Sequence, residues 1–139
     1  MDAGIAGKVA IVGGASKGLG SASAHALAAE GVNLMMCSRS EDSLAKAASE
    51  ISNAHPVRVE IYPGDLERPE TIDGLVHETI SRFKSIDILV SNIGGPPTGS
   101  ALELSQSDWD IAIQRTFLFF SRMSTAVIPQ MKKQHWGRV

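Results

Sequence analysis

Short apolar runs alternate with longer segments whose apolar residues recur at helical spacing. The apolar runs have the length of strands, and the segments between them have the length of helices. Such an alternation is typical of an α/β fold, a doubly wound parallel sheet with helices on both faces. The pattern predicts strands over residues 8–12, 32–37, 57–62 and 86–90, and helices over 18–30, from 40 onward, over 69–83 and over about 105–133.

The ends of the predicted helices carry residues that suit helix caps. Gly31 fits the position after the first helix, and Pro69 fits the first turn of the third. Ser105 and Asp108 resemble a capping box that opens the long helix. Pro129 should kink that helix or end its regular part. The last residues, 137–139, read as the entry to a fifth strand.

Three glycines with the spacing G-x-x-x-G-x-G follow the first strand and open the first helix. Gly14 allows a sharp turn off the strand, and Gly18 allows backbone to approach a ligand closely. The N–H groups of the helix N-terminus then face an anion. The ligand that suits this geometry is a nucleotide with a pyrophosphate, with Ser16 as a further phosphate contact. A plain glycine turn is the alternative.

The residues after the second strand bear on the choice of nucleotide. A dinucleotide fold that takes NAD commonly has an acid here, which binds the ribose 2′-hydroxyl. This chain has Ser38 at that position with Arg39 beside it, and Lys17 in the glycine turn adds a second cation. Two cations without the acid favour a 2′-phosphate, and therefore NADP(H) over NAD(H). Ordinary surface charges are the alternative.

Two further strand ends carry candidate residues, since ligands of such sheets lie over the carboxyl ends of the strands. Asp65 follows the third strand, where it either accepts from an adenine amino group or forms a turn or N-cap before Pro69. Asn92 opens a loop rich in glycine and proline that runs to about Ser100. Asn92 is predicted to tie neighbouring backbone segments beside a bound nucleotide, with a plain loop as the alternative.

Composition excludes several classes of protein. The chain has 139 residues, 43% of them hydrophobic, which predicts a single globular domain. A net charge of −2 leaves no basic excess for a nucleic-acid surface. No run approaches membrane length, and no secretory signal or metal-ligand spacing of histidines is visible. The single cysteine, Cys37, is predicted to be a buried core thiol and fits a reducing, cytoplasmic location.

Taken together, the motifs resemble those of the short-chain dehydrogenases/reductases, most closely the 3-oxoacyl-[acyl-carrier-protein] reductase-like members. The resemblance runs from Gly7 onward and rests on residues 14–20, 65–66, 92–94 and 109–110. It implies a Rossmann-type sheet, NAD(P)(H) binding and hydride transfer between a carbonyl and an alcohol. The expected cofactor-binding residues are Gly14, Ser16, Lys17, Gly18, Leu19, Ser38, Arg39, Asp65, Leu66, Asn92, Ile93 and Gly94.

The chain also departs from the family pattern. The family usually has threonine at Gly13 and alanine at Ile93. Seven residues after Trp109, the asparagine that helps to hold a proton-relay water is replaced by Thr116. This replacement puts the usual relay in doubt without affecting cofactor binding.

The resemblance places a catalytic serine after strand five and a Tyr-x-x-x-Lys pair on the next helix. Here the only tyrosine is Tyr62, and Leu66 stands four residues later. We therefore expect residues 1–139 to be the cofactor-binding part of a reductase, truncated after about four strands and inactive alone. The alternatives are an inactive nucleotide-binding module that acts as a sensor or partner subunit, and a methyltransferase using S-adenosylmethionine. A methyltransferase would need an acid after strand two to hold the ribose hydroxyls, and Ser38 and Arg39 at that position argue against it.

The long helix predicts association between copies of the chain. Its apolar residues, from Trp109 to Met131, are too many for one stripe, so more than one face needs cover. One face should pack on the sheet and the other should meet a second subunit in a homo-oligomer. Cover by a missing C-terminal half is the alternative. The fourth strand is predicted to leave a long apolar edge open to pairing.

Overall fold

The structure, a computed structural model, describes residues 3–139 as a four-stranded parallel sheet with helices on both faces. Met1 and Asp2, part of the segment without a predicted secretory signal, lie outside the described residues. The predicted α/β doubly wound fold is confirmed. The elements are β1 Val9–Gly13, α1 Gly18–Ala29, β2 Asn33–Ser38, α2 Glu41–Ala54, β3 Val59–Pro63, α3 Pro69–Phe83, β4 Ile88–Val90, α4 Gln106–Ile113, a π-helical segment Gln114–Leu118 and α5 Phe119–Gln134.

The strand order, β3-β2-β1-β4, places β1 in the centre of the sheet. Val9 of β1 pairs with Asn33 of β2, and Ala10 pairs with Ile88 of β4. The chain moves outward on one side of β1 and then crosses to the other side for β4. Strand order thus reverses between β1 and β4, and a ligand crevice is expected over the carboxyl ends of these two strands.

Each face of the sheet carries its own core. Alternate residues of β2 point to opposite faces, so that Leu34 and Met36 pack under α1 and α2 while Met35 packs under α3 and α5. Leu75 of α3 and Met123 of α5 are fully buried on the second face. Because both faces are covered, the central strands read as continuous apolar runs.

All four strands begin later than the hydrophobic pattern predicts, β1 and β2 by one residue and β3 and β4 by two. β3 begins at Val59, not at residue 57, and β4 begins at Ile88, not at residue 86. The N–H of Ile86 donates to the side chain of Gln134 in α5, at 3.1 Å, instead of to a strand. The N–H of Val57 donates to the His55 carbonyl just behind it, at 2.9 Å. Local and tertiary partners have therefore replaced ladder pairing at both starts.

The long helix is not one regular α-helix. The π-helical segment Gln114–Leu118 separates α4 from α5. Of the two effects predicted for Pro129, it does not end the regular part, because it lies inside α5, which continues to Gln134; the kink stays a prediction. Val127 and Met131, on either side of Pro129, are buried in the core on the α5 face. Their packing holds the helix across the hydrogen bond that proline cannot make.

The edge of β4 is shorter and better paired than predicted. β4 has three residues. The N–H of Arg138 donates to the Asp87 carbonyl at 2.9 Å, and the N–H of Leu89 donates to the Arg138 carbonyl at 2.9 Å. The predicted long apolar edge is therefore wrong. The parallel bridge between Ile88 and Arg138 agrees with the predicted entry to a fifth strand.

Candidate functional site

A cavity of about 490 Å³ lies over the carboxyl ends of the strands, where strand order reverses. It is lined by residues that follow each of the four strands, together with one residue of the π-helical segment. All the residues predicted to bind cofactor lie around this one cavity: Gly14, Ser16, Lys17, Gly18, Leu19, Ser38, Arg39, Asp65, Leu66, Asn92, Ile93 and Gly94. The lining residues that sequence reasoning missed are Ser40, Ser43, Gly64, Glu67 and Arg115.

The glycine turn presents backbone to the cavity. Gly14 and Gly18 have φ of +57° and +58°, in the left-handed region that favours glycine. A Cβ on Gly18 would meet nothing within 4 Å, so the space beside it is open. A Cβ on Gly20 would collide with the Gly14 carbonyl, which shows why α1 can begin so close to the turn. The sequence motif included Gly20 without identifying this packing role.

The N-terminus of α1 faces the same cavity. Lys17, its N-cap, is extended and its side chain caps no backbone N–H. No acidic residue lies in the first turn of α1. The first N–H groups of a helix have no partner inside the helix, and the helix dipole makes this end positive. The arrangement can therefore accept an anion such as a phosphate.

Two exposed cations line the cavity, Lys17 at the glycine turn and Arg39 just after β2. Among residues 3–139, neither forms an ion pair. The nearest acids in sequence, Glu41 and Asp42, belong to the first turn of α2 and do not line the cavity. The end of β2 is thus positively charged and has no carboxylate directed at a ribose.

Asp65 takes part in the turn after β3. Its Oδ1 accepts from the N–H of Glu67 at 3.0 Å, so the turn role allowed by the sequence is present. Among residues 3–139, Oδ2 of Asp65 has no hydrogen-bond partner. One carboxylate oxygen therefore remains available on the cavity wall.

Asn92 ties the ends of β1 and β4 together, as the sequence predicts. Its Nδ2 donates to the Gly13 carbonyl at 3.3 Å. A Cβ on Gly13 would collide with the Asn92 carbonyl. The close approach of these two backbones therefore suits glycine at position 13, where the family usually has threonine.

Arg115 reaches the cavity from the π-helical segment. Its Nη2 lies 2.9 Å from Oε1 of Glu67, and its Nη1 donates to the Gly95 carbonyl at 3.4 Å. No local motif marks this residue, because its partners are far away in sequence.

The side chains that were considered for proton chemistry lie elsewhere. The hydroxyl of Thr116 donates to the Ala112 carbonyl at 2.6 Å, and Thr116 does not line the cavity. The hydroxyl of Tyr62 packs against Gly74 of α3.

Burial, together with the nearby charge of Asp65, raises the pKa of the Cys37 thiol to about 12. Cys37 is therefore the inert core thiol that the sequence predicts.

Within the part of the chain that the structure describes, neither a metal site nor a membrane span is indicated. Among residues 3–139, no group of three or more potential metal-binding side chains is present. Over the same residues, no helix has both the length and the apolar character needed to cross a bilayer.

Comparisons with known proteins agree with the fold. The sequence pattern of the family described as short chain dehydrogenase matches residues 8–139. D-beta-hydroxybutyrate dehydrogenase of Cupriavidus necator is 33% identical over 136 residues, which are 96% of this chain and 51% of that protein. The 3-oxoacyl-[acyl-carrier-protein] reductase of Escherichia coli is 31% identical over 133 residues, 96% of this chain and 53% of that protein.

Solved structures give the same result. The L-sorbose reductase of Gluconobacter frateurii, complexed with NADPH and L-sorbose, matches with a TM-score of 0.91 and 32% identity, over 99% of this chain and 52% of that chain. An alcohol dehydrogenase of Thermococcus sibiricus, complexed with 5-hydroxy-NADP, matches with a TM-score of 0.87 and 30% identity. The match covers 94% of this chain and 56% of that chain. The chain thus spans about half the length of its relatives. It belongs to the short-chain dehydrogenase family of oxidoreductases.

Proposed function

We propose that the chain is the NADP(H)-binding part of an oxidoreductase that transfers hydride between the nicotinamide and a small carbonyl or alcohol substrate. The observation that carries the choice of NADP(H) over NAD(H) is the charge at the end of β2. Lys17 and Arg39 line the cavity without ion-pair partners among residues 3–139, and the residues directly after β2 that line it include no carboxylate. A 2′-phosphate would supply the negatively charged partner that these two cations lack.

The glycine turn is the proposed site of the pyrophosphate. Gly14 and Gly18 give the backbone its close approach, and the N-terminus of α1 supplies unpaired N–H groups. Ser16 adds a hydroxyl at the cavity wall, and Leu19, 81% exposed, adds an apolar surface beside it. Backbone donors and a helix dipole bind a pyrophosphate whatever group stands on the ribose, so this part serves both cofactors.

The remaining lining residues suit the two ends of a dinucleotide. Asp65 and Leu66, after β3, are the proposed wall of the adenine pocket, with Oδ2 of Asp65 as acceptor for the amino group. Asn92, Ile93 and Gly94, after β4, would border the nucleotide at the switch point. The NADPH and the NADP derivative in the structurally similar reductase and alcohol dehydrogenase support a dinucleotide in this position.

Among the described residues that line the cavity there is no tyrosine, the expected proton donor for reducing a carbonyl. Among residues 3–139, no histidine or cysteine lines the cavity either. Carbonyl reduction requires an acid positioned at the developing alkoxide. We therefore expect this chain alone to bind cofactor without turnover. The same observation favours an inactive nucleotide-binding module as the second candidate, and NADPH oxidation by a longer form of the protein would decide against that candidate.

The outward side of the long helix, from α4 through the π-helical segment to α5, is the proposed contact between copies of the chain. Its apolar side chains are 37% to 68% exposed: Trp109, Ile111, Ile113, Phe117, Phe120 and Ile128. The opposite face of α5, with Met123 and Val127, is buried against the sheet. Large apolar side chains left exposed repeatedly along one helix favour an interaction surface. A homo-oligomer in the cytoplasm is the proposed form, the location resting on the single unpaired cysteine.

Calorimetric titration of the purified chain with NADPH and with NADH tests the proposal. We expect both to bind in the cavity, with the lower Kd for NADPH. Equal Kd values would refute the assignment of Lys17 and Arg39 to a 2′-phosphate. Absence of binding by either dinucleotide would refute the proposed function as a whole.

A further inference from the structure

Arg115 joins three segments that are far apart in the sequence. It lies in the π-helical segment, and its ion pair with Glu67 reaches the loop after β3. Its hydrogen bond to the carbonyl of Gly95 reaches the loop after β4. Arg115 and Glu67 both line the cavity. The pair therefore forms a wall that holds two loops of the cavity at a fixed separation.

One donor of this wall is unused. The Nε–H of Arg115 is buried and has no hydrogen-bond partner among residues 3–139. A buried donor without an acceptor is unfavourable, whereas a bound ligand can supply the acceptor. Arg115 lines the cavity, so a ligand bound there meets the guanidinium, and a change of rotamer on binding would bring this donor to an acceptor. The wall is thus better suited to an occupied cavity than to an empty one.

The location of the pair favours the base over the phosphates. Glu67 stands two residues after Asp65, at the turn that forms the proposed adenine pocket. Its N–H donates to Asp65, and its carboxylate pairs with the guanidinium of Arg115. The carboxylate of Glu67 also neutralises the guanidinium, so the pair contributes little net positive charge. Lys17 and Arg39, in contrast, have no such partner among residues 3–139. A neutralised planar guanidinium suits stacking and hydrogen bonding with a heteroaromatic ring better than attraction of a phosphate.

We infer that Arg115, held by Glu67, is a positioning residue for the base of the bound nucleotide. This inference rests on the proposed function, because it needs an adenine nucleotide in the cavity. It assigns the base-end wall to a side chain outside the glycine, aspartate and asparagine motifs. Because the base is common to NADPH and NADH, Arg115 should act on both affinities to the same extent.

Titrations with whole cofactors and with their fragments test the inference. The ligands are NADPH, NADH, ADP and nicotinamide mononucleotide, and the variants are Arg115→Met and Arg115→Lys. Arg115→Met should raise the Kd of NADPH, NADH and ADP by about 10-fold or more, the range for one hydrogen bond to a charged group. The Kd of nicotinamide mononucleotide should stay unchanged. Arg122→Met, at an exposed arginine of α5 that does not line the cavity, is the matched control.

The lysine variant separates positioning from simple structural support. Lysine keeps the charge and the ion pair with Glu67, so it should preserve the melting temperature. Lysine lacks the planar group and the Nε–H, so Arg115→Lys should raise the Kd of ADP nearly as much as Arg115→Met does. Unchanged ADP affinity in folded Arg115→Lys, or an equal loss for nicotinamide mononucleotide, would overturn the inference. If the wild-type chain binds neither dinucleotide, the proposed function fails with it; if NADPH binds and Arg115 variants bind equally, only this inference fails.

Discussion

Replacing Arg39 with alanine should remove most of the preference for NADPH while leaving NADH binding intact. Arg39 is exposed at the cavity edge, directly after β2, and forms no ion pair with residues 3–139. No carboxylate has to be released before it binds a phosphate. The variant should fold normally, since the side chain supports no other part of the described structure.

The magnitude follows from the exposure of the guanidinium. A hydrogen bond to a charged group contributes about 1.5–3 kcal/mol, whereas an exposed ion pair contributes about 0–1 kcal/mol. A 2′-phosphate held by an exposed arginine falls between these limits, at about 1–2 kcal/mol. The Kd of NADPH should therefore rise about 5- to 30-fold in Arg39→Ala. Added salt should reduce the wild-type preference, because the Debye length falls from about 10 Å at 0.1 M to about 3 Å at 1 M.

Fluorescence titration of both cofactors measures this effect as a ratio of Kd values. Arg122→Ala, which removes an exposed arginine that does not line the cavity, is the control and should leave the ratio unchanged. An unchanged ratio in Arg39→Ala would refute the reasoning. So would a parallel loss of NADH affinity, since that would mean that Arg39 supports the cavity and does not select the phosphate.

Three further results are expected. Gly18→Val should abolish dinucleotide binding, because the branched side chain fills the open space beside the turn. The control is Gly7→Val, at a comparable φ of +77° and in equally open surroundings, which should lose stability and keep binding. Normal binding by Gly18→Val would mean that the turn contacts no ligand. Burial raises the pKa of the Cys37 thiol to about 12 from an ordinary 9.0, so this thiol stabilises the fold fully below pH 9. The free energy of unfolding should therefore fall as the pH rises from 9 towards 12, and it should fall less in Cys37→Ala; an equal fall in both would contradict the assignment. Phe120→Asp should shift sedimentation of the chain towards the monomer without unfolding it, because Phe120 is 49% exposed, and a wild-type monomer at micromolar concentration would count against the proposed interface.

Features that depend on local chemistry could be predicted from the sequence. Three consecutive segments illustrate this: the first strand, the glycine turn and α1. The positions of their glycines indicate where the backbone must turn sharply. The capping box of Ser105 and Asp108 is likewise local, and both of its reciprocal hydrogen bonds are present. The carboxyl ends of parallel strands meet at one edge, so residues after different strands could be assigned to one cavity before their distances were known.

Features that depend on distant partners could not be predicted in this way. Arg115 becomes part of the cavity because the π-helical segment and its ion pair with Glu67 direct it there. The start of β4 is set by the side chain of Gln134, and its edge is covered by the backbone of Arg138. Pro129 continues inside a helix because neighbouring residues are anchored in the core. In each case tertiary packing overrode a local preference.

A crystal structure of the chain with NADP⁺ would test the central claim most directly. The claim is that the cavity over the β1 and β4 ends binds a 2′-phosphorylated dinucleotide. We predict the pyrophosphate over the glycine turn at Gly14 and Gly18, and the 2′-phosphate within hydrogen-bond distance of Arg39 or Lys17. A dinucleotide bound in the cavity with its 2′-phosphate directed away from both cations, or bound outside the cavity, would contradict the claim.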